Sequence, residues 1–229
     1  MSTVKGGPDT ITDNLIFSFD AANRKSYPAI GTTINDLSGN GSNGVLTNGP
    51  TFDSANNGSI QFDGINDHIR GVDVLTNTYG FDSSQSYDIW FNSNDISNTG
   101  GLFFWSDFEG IGVLADTGEV FIQTEGDNSI GKFPTTPTIE VDRWYNVVFN
   151  FSQGSKYECF LNSVYMGEDT TTDTSPTPYR DWSIGCRVRP TNSLDSFFSG
   201  NISIVKCYNT SLTQNQVLQN YNATKRRYQ

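Results

Sequence analysis

The stretch from Asp36 to Asp67, DLSGNGSNGVLTNGPTFDSANNGSIQFDGIND, holds Asn43-Gly44, Asn48-Gly49, Asn57-Gly58 and Asp63-Gly64 within one short run. Such dipeptides accept positive φ and form the tight turns that join twisted antiparallel strands. Between them lie two short apolar runs, Gly44-Val45-Leu46 and Ser59-Ile60-Gln61-Phe62. Turns this frequent leave no room for long helices, so the stretch predicts short strands joined by loops that can carry function.

The rest of the chain repeats that grammar. Apolar runs at 15–20, 86–93, 101–106, 110–115, 119–124, 182–186 and 197–207 are separated by Asp, Asn, Gly and Pro. The clearest is RWYNVVFNFS at 143–152. Tyr145, Val147, Phe149 and Phe151 fall on one face, and Trp144, Asn146, Val148 and Asn150 on the other. A period of two with one strongly apolar face predicts a strand packed on a second sheet. A hairpin is expected to turn at Asn162-Ser163. Residues 126–142 and 168–181 read as polar loops.

The C-terminus changes period. Thr213 and Gln216 have capping-box spacing, and Leu212 and Val217 sit where a hydrophobic staple forms. A helix is expected from there to about Ala223, packed outside the sandwich. The organisation is therefore an N-terminal arm (1–11), one jelly roll (12–210) and a C-terminal helix with a basic tail (211–229). The fold class is an all-β, two-sheet antiparallel jelly-roll sandwich with a short C-terminal helix.

Composition narrows the function. The 229 residues have a net charge of −11 and 13% aromatics. That charge repels phosphate backbones, so no nucleic-acid partner is expected; Lys225-Arg226-Arg227 reads as a solvated tail or a partner contact. No run approaches the roughly 18 apolar residues of a membrane helix, so no membrane insertion is expected. The three cysteines, Cys159, Cys186 and Cys207, stand alone in strand-like runs and read as small buried hydrophobes. With no apolar leader in MSTVKGGPDTITDN, folding in a reducing cytoplasm is the expectation. Six Asn-x-Ser/Thr sequons match at the rate this Asn- and Ser-rich composition produces by chance.

Several ordered pieces resemble one family. They are DLSGNGSNG (36–44), GSIQFDGIND (58–67), Ile89-Trp90-Phe91, Trp144-Tyr145-Asn146-Val147-Val148, Phe160-Leu161-Asn162, FSGNIS (198–203) and YNTSLT (208–213). Across residues 12 to 224 they resemble the laminin-G-like jelly rolls of the concanavalin A-like lectin/glucanase superfamily. The ending NYNATKRRY (220–228) resembles bacteriophage members that serve as tail or capsid appendages. The resemblance implies a non-enzymatic adhesion or decoration protein of a virion, assembled in the host cytoplasm. Its implied partners are other capsid or tail proteins and host-surface glycans, and it implies a homo-oligomer or repeated array. A purely structural cement protein and a glucanase-like hydrolase are the alternatives.

The chemistry supports binding over catalysis. Glucanases of the superfamily place several carboxylates on one face of one strand, whereas SYDIWFNS (86–93) offers Asp88 alone. His68 is the sole histidine, with no GxSxG elbow to partner it and no ligand set for zinc. Calcium is the one cofactor the loops suit. Hard cations take carboxylate and carbonyl oxygens, and Asp20, Asp36, Asp63 and Asp67 are the candidate metal ligands, each with a turn-forming alternative. For sugar binding, an aromatic beside polar groups is needed. Trp105 with Asp107, and Tyr179 with Trp182, are the candidates beside polar loops. Trp90 and Trp144 are read as core.

Overall fold

A computed structural model describes residues 8–71, 84–105, 109–123, 133, 135–152, 156–170, 181–189 and 193–229. In chain order the first strands are β1 (Leu15–Asp20), β2 (Thr33–Ile34), β3 (Gly44–Thr47), β4 (Thr51–Asp53), β5 (Ser59–Asp63) and β6 (His68–Gly71). Then follow β7 (Gln85–Ser93), β8 (Gly100–Phe104), β9 (Gly110–Val113), β10 (Val120–Gln123), β11 (Trp144–Ser152) and β12 (Lys156–Leu161). The last are β13 (Val164–Thr170), β14 (Trp182–Ile184), β15 (Arg187–Val188), β16 (Leu194–Asp195) and β17 (Ser199–Tyr208). Helix α1 (Gln214–Thr224) closes the chain, followed by one 3₁₀ turn at Lys225–Arg227.

Two antiparallel sheets pack face to face. One runs β13-β12-β11-β7-β17-β5-β4, with β1 also paired on β17; the other runs β10-β9-β8-β14-β6-β3-β2. The long central strands of the first sheet explain their own placement. Tyr87, Ile89 and Phe91 of β7, and Tyr145, Val147, Phe149 and Phe151 of β11, all join the core between the sheets. The intervening residues face away from it. On β7 these are Ser86, Asp88 and Trp90, and on β11 they are Asn146, Val148 and Asn150. The two rows lie side by side, because Ser86 pairs with Asn150, Asp88 with Val148, and Trp90 with Asn146.

The second face is covered by the C-terminal segment. Val148 and Phe160 of the sheet pack with Tyr208, Leu212 and Val217 into a small separate apolar cluster. Ser86 and Asn150 fix the entry to the helix. The Leu212 N–H donates to Ser86 Oγ at 2.8 Å, and Asn150 Nδ2 donates to the Leu212 carbonyl at 2.7 Å. The capping box forms as its spacing predicts, with Thr213 and Gln216 each bonding the other's backbone N–H.

The turns follow the opening stretch at three of its four pairs. Positive φ occurs at Asn48 and Gly49, at Asn57 and Gly58, and at Gly64. Gly44 differs: it lies inside β3, and a Cβ there would sit 2.6 Å from the Trp182 ring. A close approach, and no turn, requires that glycine. The Asn162-Ser163 hairpin turn has φ of 51° and 64°. Residues 168–170, expected in a loop, complete β13 instead. All three cysteines are free and buried, and burial pushes their thiols up, that of Cys186 to about 12.

Candidate functional site at the C-terminal helix

The structure redistributes the four tryptophans. Trp182 is 1% exposed, with its ring beside Gly44 and Gly71 and 4.8 Å from that of Phe17. Trp105 is 2% exposed and stacks on Tyr87 at 4.1 Å. Neither ring offers a face to a sugar, which corrects the expectation drawn from their polar neighbourhoods. Trp182 pairs with Gly71, whose missing side chain leaves room for the indole in the core. Asp107 and Tyr179, the other candidates, lie outside the described residues.

The aspartates expected at a metal are largely occupied by protein donors. Asp36 accepts from the Ser18 and Ser38 N–H groups at 2.9 Å each and from Ser38 Oγ at 2.6 Å. Asp20 receives both Arg227 guanidinium arms, at 2.8 and 2.9 Å. Asp63 accepts from the Ile65, Asn66 and Asp67 N–H groups, a fully formed Asx turn, and the Ile65 N–H leads in holding its carboxyl below the usual range. Asp67 reaches back to the Asp63 N–H at 3.1 Å; burial, then the neighbouring Asp63 charge, raises its carboxyl. Asp63 and Asp67 are therefore brought together. Among the described residues, however, no group of three or more His, Cys, Asp or Glu side chains forms a metal-binding set.

The carboxylate on the aromatic strand is sequestered. Asp88 is 2% exposed and accepts from Asn146 Nδ2 at 2.7 Å and from Asn220 Nδ2 at 3.0 Å. Burial raises its carboxyl. His68 is likewise buried, its Nδ1 2.9 Å from the Asn66 carbonyl. Both side chains are buried, and neither lines the aromatic pocket.

An aromatic pocket opens at the end of α1. Asn220 anchors that helix, donating to Asp88 and Tyr208 Oη and accepting from the Ile11 N–H at 2.8 Å. One residue on, Tyr221 stacks over Trp90 with centroids 5.5 Å apart. The 3₁₀ turn then folds the tail back. Arg227 clamps Asp20, Tyr228 Oη donates to Ser203 Oγ at 2.8 Å, and the Tyr228 ring stacks on Trp90 at 4.2 Å. Burial pushes the Tyr228 phenol up, so it stays a hydrogen-bond donor at any physiological pH. Trp144 lies 4.6 Å from Tyr228. With the Asn56 amide turned to satisfy both neighbours, the Trp144 Nε1–H donates to it at 3.0 Å and the amide donates to the Arg227 carbonyl at 2.9 Å.

The resulting cavity is about 350 Å³ and is lined by Trp90, Trp144, Tyr221 and Tyr228 with Asp142, Arg143, Asn162, Lys225 and Gln229. Trp90 is the buried base; Trp144, Tyr221 and Tyr228 are half-buried. Lys225 Nζ sits 5.3 Å over the Tyr221 ring, and Arg143 pairs with Glu140 at 2.7 Å. Asn162 is held by accepting from the Asn146 N–H at 2.9 Å. Aromatic faces beside carboxylate, amide and ammonium groups match the needs of a hydroxylated ring. C–H faces lie against π-systems, and hydroxyls find donors and acceptors.

Trp90, expected in the core, is buried at 3% exposed, whereas Trp144, expected there too, is half-buried at the pocket. The signal for Trp144 was already present: it falls on the face of β11 opposite the core residues. Tyr221 and Tyr228 needed the tail to fold back.

Two antiparallel sheets enclosing one aromatic core, with a C-terminal helix on the outer face of one of them, define a concanavalin A-like jelly-roll sandwich. Residues 63–218 match the family model of the laminin-G type described as the concanavalin A-like lectin/glucanases superfamily, and the chain belongs to that superfamily. No curated protein sequence matches the chain. Among solved structures it is similar to domain 4 of AbnA, a GH43 extracellular arabinanase from Geobacillus stearothermophilus, in complex with arabinotriose. That match has a TM-score of 0.69 at 17% identity over 90% of this chain and 97% of the other. It is also similar to the botulinum neurotoxin serotype D ligand binding domain in complex with N-acetylneuraminic acid, with a TM-score of 0.68 at 13% identity over 92% of this chain. A third is the binding domain of Paraclostridial Mosquitocidal Protein 1, with a TM-score of 0.69 at 15% identity over 93% of this chain. The chain spans about half the length of the two toxin domains, 51% and 52%. At these identities the likeness is one of fold.

Proposed function

We propose that this chain is a non-catalytic glycan-binding module whose sugar docks in the pocket between Trp144, Tyr221 and Tyr228. The observation that carries the reading is the set of half-buried aromatic rings around a cavity of sugar size, with Asn162, Asp142 and Lys225 beside them. Two similar folds, one in complex with arabinotriose and one with N-acetylneuraminic acid, support sugar as the ligand class. Sequestration of Asp88 supports binding without hydrolysis. A single shallow pocket binds weakly, so useful adhesion would come from several copies engaging at once.

A glycan array probed with a multimerised form, with and without calcium, tests this. Binding that Trp144→Ala abolishes supports the site; binding that the substitution leaves intact refutes it. Release of reducing sugar from any polysaccharide would overturn the non-catalytic part.

The setting we propose is a virion surface, where the module decorates capsid or tail. That part rests on the resemblance of residues 220–228, and the fold gives the same residues a second explanation. Asn220, Tyr221, Arg227 and Tyr228 bind the tail back onto the sheet. Electron microscopy of labelled particles decides it. A protein that coats particles yet binds no glycan would point to the purely structural role.

A further inference from the structure

On the flank of α1 away from the aromatic pocket lies a second cavity of about 560 Å³. Lys206 lines it, at only 6% exposed. Its neighbours across the sheet are Asp88 on β7 and Ser18 on β1. Among the described residues Lys206 forms no side-chain hydrogen bond or ion pair, and Asp88 and Asp20 act on it only through their charge. Asp88 accepts from the Asn146 and Asn220 amides, and Asp20 from both Arg227 arms and the Ala22 N–H. Its ammonium opens into the cavity, where its donors are available to an acceptor.

The charges around it indicate what that acceptor is. Two cations, Lys206 and Arg227, stand against Asp20, Asp88 and the exposed Asp9 at the rim, so the site holds no excess positive charge. An anion would leave one buried negative charge uncompensated. A neutral hydroxyl accepts from the ammonium without adding negative charge. Ser18 adds a hydroxyl to the lining, and Leu15 and Leu37 add apolar wall against which carbon-bound hydrogens can lie. Burial lowers the Lys206 amine, and the two nearby carboxylates oppose that shift.

We infer that this cavity is a second ligand site, selective for a small neutral polyol or monosaccharide whose hydroxyl accepts from Lys206. It stands independently of the aromatic pocket, with which it shares no lining residue. The test is an NMR titration of the isotope-labelled full chain with glycerol, galactose and arabinose, and in parallel with acetate and inorganic phosphate. Saturable shifts of the Ser18 and Thr224 amides with the neutral compounds are expected. Lys206→Met should weaken them by about tenfold or more, the size of one lost charge-assisted hydrogen bond. Trp144→Ala should leave them unchanged. Saturation by acetate or phosphate alone overturns the neutral-ligand assignment, and no saturable shift with any neutral compound overturns the site. Should Lys206→Met fail to fold, Thr12→Trp at the exposed rim decides. Loss of the shifts supports the site, and their retention refutes it.

Discussion

Replacing Asn220 with Ala should cost far more than a surface substitution on a short C-terminal helix ordinarily does. The side chain is 2% exposed and serves three partners at once. It donates to Asp88 at 3.0 Å and Tyr208 Oη at 3.0 Å, and accepts from the Ile11 N–H at 2.8 Å. One of these bonds is to a buried carboxylate, for which about 1.5–3 kcal/mol is typical, and each of the neutral pair adds about 1 kcal/mol. Truncation also leaves Asp88 with a single amide donor in a site that already resists its charge. The expected loss is about 3–5 kcal/mol, a large part of the roughly 5–15 kcal/mol that holds a domain together. For a chain of this size, that is a fall in Tm of about 6–20 °C. Urea unfolding with an unchanged slope would measure it. Sugar binding should fail at the temperature where α1 detaches, because Tyr221 and Tyr228 leave with it. A loss below about 1 kcal/mol would refute the claim that this network anchors the helix.

Three further predictions concern other links in the structure. Gly71→Ala would place a Cβ 2.1 Å from the Trp182 ring; the overpacking should cost about 1–3 kcal/mol, read as a drop in Tm, and an unchanged Tm would show that the indole can move aside. Thr213→Ala removes the helix cap and should cost about 1 kcal/mol in urea unfolding without changing the core aromatics' near-ultraviolet spectrum. The folded pKa of Lys206 is lowered by burial, so the native state binds fewer protons than the unfolded chain between that value and about 10.4. Stability contributed by this group therefore rises with pH across that window. The difference between wild type and Lys206→Met should grow in favour of wild type from neutral pH towards about 10, and a flat difference would count against a buried amine.

Alternation on β7 and β11 was legible from the sequence because each strand has one face in the main core, where only apolar side chains are tolerated. The C-terminal helix was legible because capping chemistry is local: Thr213 and Gln216 meet across one turn. The strand at Gly44 was legible, but its need for glycine was not, for the opposite reason. Its constraint comes from Trp182, a residue far along the chain, and no local pattern encodes that. The aspartates were legible as turn formers, and Asp63 shows it most plainly, with three backbone N–H groups on one oxygen.

By itself the sequence determined the sandwich, its antiparallel strands and its cap. Periodicity and turn chemistry act over a few residues, and the order of those residues is enough to specify them. Only the tertiary structure decided which tryptophans are buried and where a ligand can sit. The outer row of β7 and β11 looks like a second core face or a solvent face equally well, until it is known what lies over it. Here α1 covers the middle of that row, and the returning tail leaves Trp144, Tyr221 and Tyr228 around an open pocket. That outcome depends on contacts between Asp20 and Arg227, and between Trp90 and Tyr228, which lie far apart along the chain and meet only after folding.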